Sequence, residues 1–295
     1  MPPIKKTAIV CVIDTECCFK NTKADKMIFH FGACIGNVHQ EHSFDVVKMD
    51  YYVKEVLEEI DNFFFVNKAT NTPYAINQTM RRAWKDALQN PHKVKSWADI
   101  VSELDRNIKA MGVEYITSYN FNFDIGVGDK HGTIRRTHQQ LTDKTYYLPR
   151  GVEHFCLMDL VANKMANQTF KTWVDDLSES DRNQMTTEKG NLSYSAECMV
   201  RYLTKDLYYV EQHTALRDAM LEFKLASHCF KHYEADIKKH FIGNVKGVSW
   251  QSFNKGLSSV AKMKIRNEPK GKKTTPKKIV KTKVLKKESN QGELF

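Results

Sequence analysis

Apolar residues recur along this chain with two periods, and the switches between them set the expected order of elements. Thr7 to Ile13 (TAIVCVI) is short, β-branched and apolar, the pattern of a strand buried on both faces of a sheet. Lys26 to Val38 (KMIFHFGACIGNV) reads as a second strand and His42 to Met49 as a third, with hairpin-like connections between them. Helical spacing follows in residues 52–65 and 75–90, with turn signals at Asn71-Thr72-Pro73 and at Pro91. The clearest helix runs from Ser96 to Ala110. Its Trp97, Ile100, Val101, Leu104 and Ile108 form one stripe, and Ser96 is a sound N-cap. Glu114 to Tyr119 reads as a strand, and a helix carrying Arg135 and Arg136 comes next. His154 to Leu160 (HFCLMDL) reads as a further strand, and Leu192 to Leu203 and Leu216 to Lys231 as helices. The polar residues 167–190 read as a loop or short helices. Three strands, helices, strand, helix, strand and helices predict an α/β mixed sheet, led by an antiparallel meander and continued by crossover units.

Composition narrows this picture. With 295 residues the chain has room for one domain and extras, or for two small domains. Its 41% hydrophobic and 27% charged residues are ordinary for a soluble globular protein. No apolar run approaches the ~20 residues needed to cross a bilayer. The apolar run after Met1-Pro2-Pro3-Ile4-Lys5-Lys6 ends in Asp14 and Glu16, which is wrong for a secretory signal. The seven cysteines show no C-x-x-C pair. They are expected as small core residues in a reducing, cytoplasmic setting, bacterial or that of a phage host. The adjacent Cys17-Cys18 pair lacks partners that would complete a zinc site.

The net charge of +10 is unevenly placed. From Lys262 onward twelve Lys/Arg face three acids, so the tail carries +9 and the rest about +1. The expected organisation is a globular domain over residues 1–235 and an appendage over 236–261 whose role is unreadable. A basic, disordered linker over 262–290 and a terminal peptide over 291–295 follow.

Three separated stretches carry candidate chemistry. Asp14 and Glu16, two apart on a strand, share one face at the expected carboxyl end of the first strand. Two acids on one face resist joint ionisation, and a divalent cation removes that penalty. Read alone, they also fit a strand end emerging into water. Asp124 follows Asn120 and Phe123 at a strand-to-helix junction, where a lone Asp also reads as a helix N-cap. His213 and Asp218 are five apart, about 140° around a helix axis. With Thr214 as N-cap, His213 lies in the preceding loop and swings toward the site, while Asp218 enters from the helix. Alone, this pair also reads as a surface His and a solvated Asp.

As a set, D-T-E (14–16), N-x-x-F-D (120–124) and H-x4-D (213–218) resemble the DnaQ-like 3′→5′ exonucleases with a DEDD site, in the subgroup that uses histidine. Ile28 to Ile35 (IFHFGACI), with its Gly-Ala, is similar to that family's second strand, and the match spans roughly residues 7–232. The tyrosine subgroup would need Tyr where this chain has Thr214. The resemblance implies a ribonuclease-H-like core. It implies that Asp14, Glu16 and Asp218 bind a first metal, that Asp14 bridges to a second, and that Asp124 acts partly through water. It gives His213 the deprotonation of the attacking water, and gives backbone groups around Thr15 and Glu16 the terminal sugar. Hard oxygen ligands favour two Mg²⁺ or Mn²⁺ ions, and histidine suits a general base near neutral pH.

Departures from the family pattern fall around the implied sugar and base pocket. Cys17, Cys18 and Phe19 follow D-T-E, and Tyr119 precedes Asn120. Thr15, Phe19, Tyr119 and Asn120 are the substrate-binding candidates. Phe19, Tyr119 and Phe121 either stack on terminal bases or serve as core and rim aromatics.

At the chain's end, Gln291, Leu294 and Phe295 resemble the Q-x-x-L-F peptides that bind bacterial sliding clamps, with Gly292 in place of the usual leucine. On a long tether such a peptide raises an enzyme's local concentration on its track. A terminus that binds nothing is the plain alternative. The lysines before it either contact DNA phosphates in a salt-sensitive way or extend as a solvated spacer. The expectation is a metal-dependent 3′→5′ exonuclease acting on single-stranded or frayed DNA 3′ ends, recruited to a sliding clamp, with a polymerase as companion and no membrane. The alternatives are an exoribonuclease trimming RNA ends and a non-catalytic scaffold binding DNA and the clamp.

Overall fold

The strand Thr7 to Ile13 anticipated from its apolar run becomes β1 (Ile9–Phe19), the strand on which the sheet is built. The computed structural model describes residues 7–19, 26–40, 46–59, 65–66, 73–74, 78–126, 132–142, 147–187 and 190–237. The chain divides into two units, Met1–Gly256 and Leu257–Phe295, and every described residue belongs to the first. The linker, the terminal peptide and most of the appendage therefore lie outside the described residues.

β1 pairs antiparallel with β2 (Lys26–Asn37), and β2 pairs antiparallel with β3 (Val47–Val53). α1 (Lys54–Glu58) follows, then a two-strand pair of β4 (Phe65–Val66) and β5 (Pro73–Tyr74), and then α2 (Gln78–Gln89). β6 (Val94–Lys95) lies parallel to β3 at one edge of the large sheet. α3 (Trp97–Met111) crosses to β7 (Tyr115–Ser118), which is parallel to β1. α4 (Phe121–Asp124) and α5 (Thr133–Leu141) lead to β8 (Glu153–Cys156), parallel to β7. Five helices complete the described chain: α6 (Leu157–Lys164), α7 (Gln168–Asp175), α8 (Glu179–Gln184), α9 (Ala196–Thr204) and α10 (Ala215–Ile237). The strand order is β6-β3-β2-β1-β7-β8, the expected mixed α/β sheet with a leading meander and parallel crossover strands.

Alternation along β1 gives the molecule two cores. Cys11 and Ile13 pack on one face with Trp97, Ile100, Leu104 and Ile108 of α3. Val10 and Val12 pack on the other with Leu160, Phe170, Met199, Ala219 and Ala226. α3 forms where its local signals say. The Ser96 hydroxyl accepts from the Asp99 N–H, and Gly112 closes the helix in the left-handed conformation at φ 63°.

Several boundaries differ from expectation. β1 does not end at Ile13 but runs to Phe19, because backbone pairing with β2 continues past Asp14↔Gly32 to Phe19↔Lys26 regardless of side-chain polarity. Asp14 and Glu16 are thus inside the strand, with a register shift between Glu16 and Cys17. The third strand, Val47–Val53, runs past the Met49 anticipated as its end, because Tyr51 and Tyr52 continue the pairing with Phe31 and His30; residues 42–45 lie outside the described residues. The long helix anticipated over 52–65 is five residues, Lys54–Glu58, and Phe65–Val66 is extended. His154 to Leu160 is half strand and half helix, since α6 starts at Leu157. α9 starts at Ala196, where the Ser195 side chain caps it, rather than at Leu192. Of the seven cysteines, six are buried and Cys17 is half-buried, as core residues should be.

Candidate active site

Asp14 and Glu16 project from the face of β1 that α10 covers. One carboxylate oxygen from each of them and one from Asp218 all lie within 4.8 Å of one another. α10 comes this close because Gly32, opposite Asp14 in β2, has no side chain. A Cβ there would lie 2.1 Å from the carbonyl carbon of Ala215. The helix begins at Ala215, and the Asp218 N–H bonds the Thr214 carbonyl at 2.9 Å. His213 precedes it in the loop, as expected. Its φ is 50°, a left-handed conformation that costs a non-glycine residue about 1 kcal/mol or more. His213 is exposed and, with Glu16, lines a cavity of about 500 Å³ that also meets His30, Arg82, Lys93 and Arg217.

Asp124 stands apart from this trio. It is the last residue of α4, so it is not the helix N-cap that a lone Asp suggested; Asn120 precedes the helix. Its buried carboxylate accepts the Thr15 hydroxyl at 2.6 Å. The Thr133 hydroxyl lies 3.0 Å from that of Thr15 and 3.2 Å from the Asp124 carbonyl oxygen. Thr15 is buried, and its side chain serves to hold Asp124.

A fifth carboxylate was missed in the sequence. Glu222 lies four residues after Asp218 on α10, hence on the same helix face. It is buried and accepts the Tyr119 N–H at 3.2 Å, tying α10 to the end of β7. The signal was an acid at helical spacing among Ala215, Ala219 and Ala226, all buried.

The electrostatics of this cluster are one-sided. Removal from water pushes the Asp14 carboxyl well above its ordinary range, and Glu222, Asp124, Glu16 and Asp218 all push it the same way. Glu222 is raised by burial and then by Asp124 and Glu211. Burial, with repulsion from Glu211, pushes Asp218 up to about 7. Burial also raises Asp124, opposed by the Thr15 hydroxyl. Acids held together this way want a cation. Hard carboxylate oxygens at this spacing fit Mg²⁺ or Mn²⁺, so the residues present suit the divalent ions anticipated.

The aromatic candidates divide. Tyr119 and Phe121 are 7% and 1% exposed, so neither ring offers a face to a base, and of the two readings open to them they take that of core aromatics. Tyr119 is drawn inward because its hydroxyl donates to the Tyr194 carbonyl. Phe19 is half-buried, and Asn120 is exposed. The exposed ring beside the site is Phe123 of α4, with the Lys26 ammonium 4.1 Å from its centroid and 5.9 Å from that of Phe19.

No known family profile matches the chain, and no curated protein matches it. Among solved structures it is similar to the nuclease domain of 3′hExo, a DEDDh family member, bound to rAMP. That likeness has 12% identity, covers 78% of this chain and 94% of that one, and has a TM-score of 0.48. It is also similar to a 3′-exonuclease whose structure concerns 3′-end recognition of histone mRNA stem-loop (11% identity, 78% and 84% covered, TM-score 0.46). E. coli Exonuclease I in complex with a 5cy-dT13 oligonucleotide gives 12% identity, 78% and 42% covered, and a TM-score of 0.45. Likenesses this distant say nothing of this chain's chemistry, which rests on the residues above.

Proposed function

We propose that this chain is a metal-dependent 3′→5′ exonuclease that releases nucleotides from single-stranded or frayed DNA ends. The observation that carries the reading is the trio of Asp14, Glu16 and Asp218, gathered within 4.8 Å beside a cavity that His213 also lines. These three carboxylates would hold the divalent ions, and Asp124, oriented by Thr15, would support them from the side. When bound, such ions neutralise charge that develops on the attacking and leaving oxygens. His213 takes the proton of the attacking water at a ring nitrogen. The cavity, at about 500 Å³, is within the range of small-ligand sites and receives the terminal nucleotide. Phe123 stacks on a base, and Lys26 beside it meets a phosphate. Thr15 and Asn120 approach the terminal sugar through backbone and side-chain groups.

The preference for DNA and the recruitment to a sliding clamp rest on the basic linker and on Gln291, Leu294 and Phe295, and a polymerase would then act beside the enzyme. The test is digestion of 3′- and 5′-labelled single-stranded DNA and RNA with Mg²⁺ or Mn²⁺. Stepwise loss from DNA 3′ ends agrees with the reading. Trimming of RNA alone makes the protein an exoribonuclease and removes the reason for a clamp. No cleavage of either leaves the scaffold.

A further inference from the structure

Beside the carboxylates, on the wall of the same cavity, β2 and β3 bury a second polar group to which hydrolysis assigns no chemical step. His30 pairs directly opposite Glu16 in the β1–β2 register and is 3% exposed. Both of its ring nitrogens are engaged. Nε2 lies 2.7 Å from Asp50 Oδ1, and Nδ1 lies 3.4 Å from the backbone nitrogen of Ala215. A backbone N–H can only donate, so Nδ1 accepts, and the ring proton sits on Nε2, donated to Asp50. Tyr52 covers the ring face, stacked at 4.4 Å.

Asp50 is itself held. Lys93 Nζ lies 2.9 Å from Asp50 Oδ2 and 3.0 Å from Asp86 Oδ2. Asp86 also accepts the Tyr52 hydroxyl at 2.8 Å and the Asn90 side-chain amide at 2.9 Å. The network thus joins β2, β3, α2 and the 3₁₀ turn Pro91–Lys93 into one support. What it supports is the start of α10. The N–H groups of a helix's first turn have no partner within the helix, and Ala215 supplies one of them. Gly32 admits that turn against β2, and His30, two residues away on the same face, bonds it. Ala215 lies between His213 and Asp218, so its placement sets both.

We propose that His30, held in its Nε2–H tautomer by Asp50, is a positioning residue: it fixes the first turn of α10 and so keeps His213 and Asp218 aligned with Asp14 and Glu16. This rests on the exonuclease reading. Small misplacement of reacting groups costs up to about 100-fold in rate. In the full-length chain, His30→Leu is expected to lower kcat by about 10–100-fold with KM nearly unchanged, the mark of a lost transition-state alignment. His30→Gln, whose amide can accept from Ala215 and donate to Asp50, is expected to recover kcat to within a few-fold of wild type. A ¹⁵N imidazole spectrum of the wild-type protein is expected to show His30 protonated at Nε2, and the Ala215 amide is expected to keep its shift in His30→Gln but not in His30→Leu.

Equal losses in the folded Leu and Gln variants, unchanged kcat in folded His30→Leu, or a proton on Nδ1 would each overturn the proposal. If His30→Leu does not fold, the wild-type tautomer and the Gln variant still decide it. If the wild-type chain hydrolyses no nucleic acid, the exonuclease reading fails, while the tautomer and the Ala215 amide still report whether His30 holds the helix.

Discussion

The two faces of β1 differ sharply although they alternate residue by residue. On one, Cys11 and Ile13 meet α3, whose apolar stripe, serine cap and closing glycine all agree. On the other, Val10 and Val12 give way to Asp14 and Glu16, facing a helix that brings Asp218 and Glu222 and starts beside a left-handed His213. Over α3 the first face follows the ordinary rules of folding, and its buried acid near the site, Asp124, is bonded by the Thr15 hydroxyl. The second breaks several at once: clustered acids, a buried glutamate and a strained backbone. Such violations concentrate where function needs them, and the consistent face supplies the stability that carries them.

The largest expected effect separates the faces outright. Asp14→Asn should lower hydrolysis by about 1,000-fold or more, as loss of a group that neutralises transition-state charge does. The same change should raise the melting temperature of the metal-free protein, because it removes a carboxyl that its neighbours repel. Leu104→Ala on α3 should do the reverse, costing about 2–5 kcal/mol of stability and leaving kcat of the folded protein within a few-fold. Denaturant melts beside kinetics on both variants check the contrast, and a loss of stability in Asp14→Asn would break it.

A third effect is a pH dependence of opposite sign with and without metal. Asp218 is raised from an ordinary 3.8 to about 7, so folding takes up a proton between those values. Its contribution to stability is therefore favourable at the acid end and is lost as pH rises through that window. Asp14 and Glu222 act in the same direction. The metal-free protein should melt at lower temperature at about pH 8 than at about pH 5, and Mn²⁺ should restore more at the higher pH, where the carboxylates are ionised. A melting temperature independent of metal at high pH would contradict the cation site. The smallest effect concerns substrate: Phe123→Ala should raise KM for single-stranded DNA by about 5–50-fold per lost base stack and leave metal binding unchanged.

How far the sequence could be read follows the same division. α3 was legible because its stripe and caps are local. Asp14, Glu16, Asp124, His213 and Asp218 were legible as a set of short motifs, although Asp14 and Glu16 lie inside β1 rather than at its end. What was illegible depends on pairing between distant segments. β1 runs past Ile13 because β2 pairs with it, and β3 runs past Met49 to Val53 because β2 pairs with it and Asp50 is bonded by His30 and by Lys93 of the 3₁₀ turn. Glu222 carries no motif of its own, and only the placing of α10 over β1 brings it to the other acids. Whether Tyr119 stacked on a base or packed in the core was open in the sequence, and its hydroxyl turned toward Tyr194 decides for the core.

The most direct measurement is digestion of 5′-labelled single-stranded DNA with and without Mn²⁺, with wild type and Asp14→Asn side by side. A ladder shortening from the 3′ end, dependent on the metal and absent in the variant, is the predicted result. Equal digestion by the two proteins, or none by wild type with Mn²⁺ present, would contradict the account.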